Sequence, residues 1–268
     1  MLLTISHVTE YLFSEPVSYA LQQLRLTPKT RSGQDVKNWD MQVSGGSVQL
    51  AYDDQNNNHV QLVSVEPGAS RVEIHSHGQV ETADTAGVVG AHRGYAPLWM
   101  FERTTELTAP GSNIRKFARA HTPDGSVESL HALSKAILEN VEYETDTTHA
   151  ATTAEQSLTL GTGVCQDHTH IFISVCRWAG IPARYVSGYL LINGQSDQVA
   201  SHAWAEAHLS GLGWVGFDVS NRISPDERYV RVATGLDYKD AAPIRGVRFG
   251  PHGGNLDESL IVSIRVEQ

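Results

Sequence analysis

Residues 161–190 read GTGVCQDHTHIFISVCRWAGIPARYVSGYL, and residues 201–221 read SHAWAEAHLSGLGWVGFDVSN. In the first segment, apolar side chains recur at the three- and four-residue intervals that are typical of a helix. Gly180 tolerates the left-handed conformation found at helix ends, and Pro182 follows it as a stop. The spacing therefore predicts a helix that begins close to Cys165 and ends near Gly180.

Three strand-like segments follow this helix, at residues 183–192, 201–209 and 213–219. Short linkers that contain Gly, Ser or Asn separate them, as expected for strands joined by turns. A helix that leads into an antiparallel meander is an α+β arrangement. We therefore predict the α+β class for this half of the chain.

Two further helices are predicted before residue 161. Residues 126–144 carry an apolar stripe at helical spacing, and Ser126 has the residue type of an N-cap. A shorter helix just before it is expected to be capped by Ser112.

The first 95 residues have a different pattern. Short runs with alternating polar and apolar residues are separated by turn clusters such as Ser44-Gly45-Gly46. Closely spaced strands of this kind predict a sandwich or a strongly curved sheet. We predict a β-rich, sandwich-like N-terminal domain over residues 1–95 and an α+β domain over residues 96–268, with the tail packed against one of the two.

Composition excludes several classes of protein. Of 268 residues, 40% are apolar and 19% are charged, so the chain can form a packed core and is not disordered. Because Asp and Glu outnumber Lys and Arg by 30 to 20, we expect neither nucleic acid nor an anionic membrane surface as a partner. Two cysteines are too few for a disulfide scaffold or a four-cysteine zinc site.

The start of the sequence bears on localisation. MLLTISHVTEYLF alternates polar with apolar residues and has no basic segment, so it resembles a strand and not a signal peptide. No run in the chain approaches the roughly 20 apolar residues of a membrane span. We therefore expect a cytoplasmic protein without a membrane span.

Cys165 is the first candidate for chemistry. It follows Gly161-Thr162-Gly163 directly and opens the predicted helix. The positive end of the helix dipole and the unpaired N–H groups at that position stabilise a thiolate, and the same N–H groups can bind an oxyanion. The alternative is that Cys165 is packed as a small hydrophobic residue.

His202 and Asp218 strengthen the catalytic interpretation. They lie on consecutive strands of a predicted hairpin, and a turn centred at residue 210 places them opposite each other. A thiol nucleophile needs a base, and the base needs a third group that orients it. Cys165, His202 and Asp218 supply these three groups.

These segments resemble the core of the bacterial transglutaminase-like superfamily, in the branch of candidate cysteine proteases. HVTEYLFSEPVSYALQQLRLTP at residues 7–28 is similar to the β-rich N-terminal domain of that branch, and VRVATGLDYKDAAPIRGVRFG at 230–250 is similar to its closing segment. The resemblance implies a papain-like fold without a cofactor. It also implies Cys165 as nucleophile, His202 as base and acid, and Asp218 as the residue that orients His202.

The chain departs from the pattern of this branch at three places. His168-Thr169-His170 stands where Phe-Ala-His is usual, and Asp218-Val219-Ser220 stands where Asp-Pro-Thr is usual. In the tail, Gly235-Leu236-Asp237-Tyr238 replaces a Gly-Arg-Asp-Tyr run. We expect these positions to lie near the cleft and to affect substrate preference.

Several residues are candidates for supporting roles in catalysis. The candidates for oxyanion donors are the backbone N–H of Cys165 and the side chains of Gln166, Gln156 and Tyr143. Asp167 is expected either to balance the helix dipole or to line the cleft. Trp204, on the same strand face as His202, is expected either to shield the imidazole from water or to pack in the core.

Taken together, the sequence predicts acyl transfer through a thioester on a peptide or protein amide substrate, with hydrolysis favoured. Transamidation of glutamine side chains by the same triad is an alternative, and an inactive module that binds through the cleft is another. A metal site that includes His168 and His170 is disfavoured because these two side chains point in different directions on a helix. Phosphate binding by the Gly-Thr-Gly turn lacks the lysine of a P-loop. The oligomeric state stays open.

Overall fold

The computed structural model describes residues 1–14, 19–192, 194, 196–249 and 258–268. Residues 15–18, which belong to the N-terminal segment quoted above, and Gly250, which ends the quoted tail, lie outside the described residues.

Strands dominate the chain. In order they are β1 (Leu2–Phe13), β2 (Tyr19–Thr27), β3 (Gln34–Ser44), β4 (Gly46–Asp53), β5 (His59–Val65), β6 (Arg71–Thr82), β7 (Val88–Gly90), β8 (Glu142–Tyr143), β9 (Thr162–Gly163), β10 (Ala183–Leu190), β11 (Asp197–Gln198), β12 (His202–Leu209), β13 (Gly213–Phe217), β14 (Tyr229–Gly235), β15 (Ile244–Phe249) and β16 (Glu258–Glu267). The helices are a 3₁₀ helix (Leu98–Glu102), α1 (Ser112–Ala120), α2 (Val127–Asn140), α3 (Ala154–Leu160), α4 (Cys165–Trp178) and α5 (Tyr238–Ala241).

The N-terminal strands form two sheets. One has the order β11-β16-β1-β6-β3 and the other has the order β15-β2-β5-β4. Alternate residues of β1 and β6 are buried, as the period of a strand requires when one face is covered. Phe13, Leu24, Val63 and Ile74 form part of the core between the sheets. The predicted β-rich N-terminal region is therefore confirmed.

The tail joins these N-terminal sheets. β15 pairs with β2, and β16 pairs with β1 along ten residues from Thr4↔Glu267 to Phe13↔Glu258. Backbone pairing between the first and last strands of the chain ties the two ends together. The boundary near residue 95 stays a prediction.

The remaining large sheet has the order β14-β10-β12-β13-β7, and α4 packs against it. Ala203, Ala205 and Ala207 of β12 belong to the same core as Ile171 and Val175 of α4, because their small side chains let the helix approach the sheet closely. The antiparallel strands β10, β12 and β13 come after α4 in the chain. This arrangement confirms the α+β, papain-like class.

The helix ends follow the sequence with one exception. Ser126 caps α2 with its side chain, as predicted. The cap predicted at Ser112 is wrong, because Gly111 is the N-cap of α1 and the Glu155 carboxylate accepts two N–H groups of the first turn. Within the described chain, every helix is too short or too polar to cross a bilayer.

Candidate active site

Cys165 is the first residue of α4 and is partly exposed. The chain arrives there from α3 through Gly161, which ends that helix with φ of 79°, a left-handed conformation that glycine adopts without strain. At Gly163 a Cβ atom would lie 2.7 Å from both the Asp167 Cβ and the Ser157 Oγ. The glycines of the Gly-Thr-Gly turn therefore let α3 and the start of α4 come close together.

The first turn of α4 leaves a donor free beside the thiol. The N–H groups of Asp167 and His168 both donate to the Val164 carbonyl. The Asp167 carboxylate accepts the Val164 N–H at 2.9 Å and the Thr148 hydroxyl at 2.7 Å. Among the described residues, no hydrogen bond uses the Cys165 N–H. Asp167 thus caps the helix, and the Cys165 N–H is available to a ligand.

His202 lies between the two other predicted residues. Its Nε2 is 2.6 Å from the Asp218 Oδ2, and Cys165 is close enough to the ring to raise its pKa. The hairpin that brings His202 and Asp218 together is centred on residue 211, one residue further than predicted. This small difference in register still leaves the two side chains neighbours, because both lie at the same end of the hairpin.

Asp218 is buried and held by several donors. Besides His202, the Tyr229 hydroxyl and the Asn221 side-chain amide each donate to its Oδ2 at 2.7 Å, and the Asn221 N–H donates to its Oδ1 at 3.2 Å. Burial alone would raise the pKa of Asp218, but the hydrogen bonds, above all that from His202, lower it. The carboxylate is therefore charged at neutral pH.

The same contacts set the charge of His202. Burial would lower the pKa of the imidazole, but the hydrogen bond to Asp218 and the nearby Cys165 outweigh burial and raise it to about 10. Because Nε2 is bonded to Asp218, Nδ1 is the ring nitrogen that remains for the thiol. The site can thus hold an imidazolium between a carboxylate and a sulfur atom.

Two aromatic rings enclose His202. Trp204 stacks near it with ring centroids 6.2 Å apart, and the Tyr229 ring lies 6.0 Å away. Trp204 is buried and packs against Val186 and Leu190. It therefore does both things that were considered for it: it covers the imidazole and it packs in the core.

The three side chains considered as oxyanion donors lie in different places. Tyr143 of β8 is half exposed, and the charges of Cys165 and Asp218 act on it and, after burial, raise the pKa of its hydroxyl. The Gln166 amide points towards the Ala150 carbonyl, at 3.4 Å. Gln156 is engaged at the start of α3, where its side-chain oxygen accepts the Thr153 N–H. Of the three, Tyr143 is the one on whose pKa Cys165 acts, and its hydroxyl makes no hydrogen bond within the described residues.

Sequence reasoning missed Tyr229 and Asn221. Asn221 follows Asp218 by three residues, which is the spacing of a tight turn, so a local signal for it existed. Tyr229 lies on β14, and Asp218 directly follows β13, so β10 and β12 lie between the two strands in the sheet order. No local pattern in the sequence indicates that contact.

Comparison with known proteins identifies the family. The model of the transglutaminase-like superfamily matches residues 114–219, and that of the bacterial transglutaminase-like N-terminal region matches residues 3–81. The chain belongs to the transglutaminase-like superfamily. The matched segments include Cys165, His202 and Asp218.

One relative of this transglutaminase-like protein matches nearly its whole length, and another matches less than half of it. An uncharacterized protein of Mycobacterium leprae is 28% identical over 278 residues, which cover 94% of this chain and 95% of the relative. One from Mycobacterium tuberculosis is 34% identical over 131 residues, 45% of this chain and 42% of the relative. The crystal structure of a candidate cysteine protease from Cytophaga hutchinsonii superposes with a TM-score of 0.77 at 20% identity, covering 100% of this chain and 90% of that one, which supports the fold.

Two positions at which this chain departs from its superfamily branch contact each other. The His168 Nδ1 lies 2.9 Å from the Ser220 Oγ, and its Nε2 lies 3.1 Å from the Val141 carbonyl oxygen. Burial lowers the pKa of His168 to about 4. The buried His170 accepts the Tyr238 N–H at 3.2 Å and also has a lowered pKa, about 3. Both histidines are neutral structural residues here, and the described residues contain no group of three or more metal-ligating side chains.

Proposed function

We propose that this protein is a thiol-dependent acyl-transfer enzyme that acts on amides, with Cys165 as nucleophile, His202 as acid and base, and Asp218 as the residue that orients His202. This function rests on one observation: the His202 ring lies between the Asp218 carboxylate and the Cys165 side chain. A base held by a buried carboxylate and directed at a thiol is the arrangement that activates a sulfur nucleophile.

In this mechanism, the Cys165 thiolate attacks the amide carbonyl carbon and forms a tetrahedral intermediate. The C–N bond then breaks, and the proton on the His202 Nδ1 moves to the departing amine, which leaves a thioester. His202 next takes a proton from water as the water oxygen attacks the thioester. The C–S bond breaks, a carboxylic acid is released, and the thiolate and imidazolium are restored.

The oxyanion of the tetrahedral intermediate needs donors. The Cys165 N–H is one candidate, since it is unused at the start of α4. We assign the second donor to the Tyr143 hydroxyl, because Tyr143 is close enough to Cys165 for the sulfur charge to act on its pKa. One donor of this kind contributes about 10²–10³-fold to the rate. Tyr143→Phe is expected to lower turnover by that factor.

Hydrolysis is the favoured outcome of the thioester. Water reaches any partly exposed sulfur, whereas transamidation needs a second site that delivers an amine. Peptide or protein amides are therefore the proposed substrates, and the products of hydrolysis are an acid and an amine. Release of ammonia from glutamine peptides, incorporation of a fluorescent primary amine, and cleavage of peptide bonds distinguish the three reactions.

The first test is the rate of alkylation by iodoacetamide between about pH 5 and pH 9, with the modified cysteine located by mass spectrometry. Cys165 is expected to react rapidly at the acidic end, and His202→Ala is expected to move its profile towards that of a free thiol. Cys176 is an internal control on the same helix, because it is fully buried and burial raises the pKa of its thiol. Cys165→Ala removes the labelled site altogether.

The proposal fails if Cys165 is inert, or if its pH profile is the same in His202→Ala. In that case the cleft is a binding surface, and capture of partners replaces the search for substrates. Full turnover by Cys165→Ala in any of the amide assays also contradicts the mechanism. Folding of each variant is checked by circular dichroism so that loss of reactivity is not confused with unfolding.

A further inference from the structure

A cavity of about 450 Å³ lies apart from the cysteine site. Its wall is built by the loop between β2 and β3, the segment that follows β7, and side chains from β10, β13 and β14. Glu206 lies behind the wall of this cavity. It is four residues after His202 on β12, which is about 13 Å along the strand. The volume is within the roughly 300–1,000 Å³ range of small-molecule sites.

The charges on the wall all have one sign. The charged residues that line the cavity are Lys29, Arg31, Arg93, Arg184 and Arg231. No carboxylate is among the lining residues in the described chain. In a protein whose net charge is −10, such a concentration of cations is not a consequence of composition. Concave walls of one charge focus the potential and attract ligands of the opposite charge.

Two of the guanidinium groups are held in fixed positions. The Arg184 and Arg231 side chains both pair with the buried Glu206, with N–O distances of 2.6 and 2.8 Å. Arg184 also stacks on Trp214, 3.9 Å from the ring centroid. One carboxylate thus orients two guanidinium groups and leaves a net positive charge. Preorganised donors of this kind lower the entropy cost of binding an anion.

The other two arginines lack a carboxylate partner. Arg31 and Arg93 form no ion pair with any residue that the structure describes. Arg31 is partly buried, and burial lowers its pKa to about 10, with Arg184 acting in the same direction and Glu206 opposing. Arg93 is exposed at the rim. Lys29, by contrast, is paired with Asp53 at 2.8 Å. The Arg31 Nε donates to the Lys29 carbonyl oxygen at 3.4 Å. The other guanidinium donors of Arg31 and those of Arg93 make no hydrogen bond within the described residues and can bind a ligand.

We propose that this cavity binds a small organic or inorganic polyanion, with two or more phosphate or carboxylate groups held by Arg31, Arg93 and the Arg184–Arg231 pair. The planar guanidinium fork matches both kinds of anion with paired hydrogen bonds. This site is independent of the chemistry proposed for Cys165, because its residues do not contact the sulfur and its test measures binding alone.

The test is isothermal titration calorimetry of the full chain with two probes, inorganic pyrophosphate and citrate, at about 50 mM NaCl. Triethyl citrate is the neutral control. At least one probe is expected to bind with a Kd below about 1 mM, and its affinity is expected to fall as salt is raised. A preference for pyrophosphate indicates a phosphate ligand, and a preference for citrate indicates a carboxylate ligand.

Variants locate the binding. Arg31→Gln and Arg93→Gln are each expected to weaken the tighter probe about tenfold or more. Arg119→Gln, on the exposed face of α1, is the matched control and is expected to bind as the unmodified protein does. If Arg31→Gln does not fold, Arg93→Gln and Arg93→Glu still decide the matter, because Arg93 is exposed and makes no described contact. The proposal is overturned if neither probe binds. It is also overturned if both Arg93 variants bind the tighter probe as well as the unmodified protein does.

Discussion

His168 is buried and His202 is largely buried, and both lie close to Cys165, yet their pKa values move in opposite directions. His202 is hydrogen-bonded to a carboxylate and lies near a thiol, and its pKa rises to about 10. His168 is hydrogen-bonded to a hydroxyl and a backbone carbonyl, and its pKa falls to about 4. Burial disfavours the imidazolium in both cases, so the difference comes from the charge of the partner.

His170 extends the same comparison. It is completely buried, and its Nε2 must accept the Tyr238 N–H, which only a neutral ring can do. Of the three histidines, only the one that contacts a carboxylate side chain is positively charged at neutral pH. Counting histidines near a cysteine is therefore a poor guide to function, and naming their partners is a better one.

The largest expected effect comes from removing the charge that sets His202 apart. Asp218→Asn keeps the shape of the side chain but replaces the carboxylate by an amide, which can hold the imidazole in the wrong tautomer. Turnover on any amide substrate is expected to fall by about 10³–10⁴-fold. The pKa of His202, followed by NMR, is expected to fall as well.

Asn221→Ala is the control for Asp218→Asn, since it removes one donor to the same carboxylate but keeps the charge. It is expected to lose much less activity than Asp218→Asn. Equal losses in the two variants would mean that the shape of the network matters and the carboxylate charge does not.

A second variant gives His168 the kind of partner that His202 has. Ser220→Asp would put a carboxylate beside the His168 Nδ1, where a hydroxyl oxygen now lies at 2.9 Å. A carboxylate at this distance is expected to raise the pKa of His168 by about one to three pH units, as followed by NMR. Ser220→Asn, with a neutral side chain of the same size, should leave the pKa low. No rise in Ser220→Asp would show that burial dominates.

Local pattern was sufficient to predict the positions of the main groups. The periodicity after residue 165 gave the start of α4, and the hairpin gave the proximity of His202 and Asp218, with the turn centre off by one residue. These contacts lie within one hairpin or at the end of one helix, where spacing determines geometry.

Contacts between distant segments could not be predicted in this way. The Tyr229 hydroxyl reaches Asp218 only because β14 pairs with β10, and the pairing of β16 with β1 joins the first strand of the chain to the last. The basic cavity likewise combines loops from opposite halves of the chain. Sheet order depends on the packing of the whole core, and a single sequence does not encode it in any short segment.

The neutral state of His168 has a consequence for stability. Its folded-state pKa, about 4, lies below the ordinary value of 6.5, so the unfolded chain binds the proton first as pH falls. The stability that this histidine contributes above pH 6.5 is therefore lost between pH 6.5 and about 4, by about 1.4 kcal/mol for each pH unit. His168→Phe removes the titrating group, so its unfolding free energy should fall less over that range.

Urea unfolding at about pH 7 and pH 5 measures this difference, which is expected to be about 2 kcal/mol in favour of His168→Phe. The comparison is between the two pH values within each protein, so a general loss of stability in the variant cancels. His121→Phe, at an exposed position after α1, is the control. An equal loss in all three proteins would show that His168 is not the group that titrates.

The smallest expected effect tests how firmly the His202 carboxylate has to be held. Tyr229→Phe removes one of the donors to the Asp218 Oδ2, at 2.7 Å, and keeps the ring that lies beside His202. Loss of one hydrogen bond to a charged group costs about 1.5 kcal/mol, so turnover is expected to fall about tenfold. Because Asp218 loses a donor but keeps its charge, His202 stays protonated at neutral pH, and the pH profile of Cys165 alkylation should keep its shape. A profile that moves to that of His202→Ala would mean that Tyr229, and not the carboxylate alone, keeps His202 different from His168.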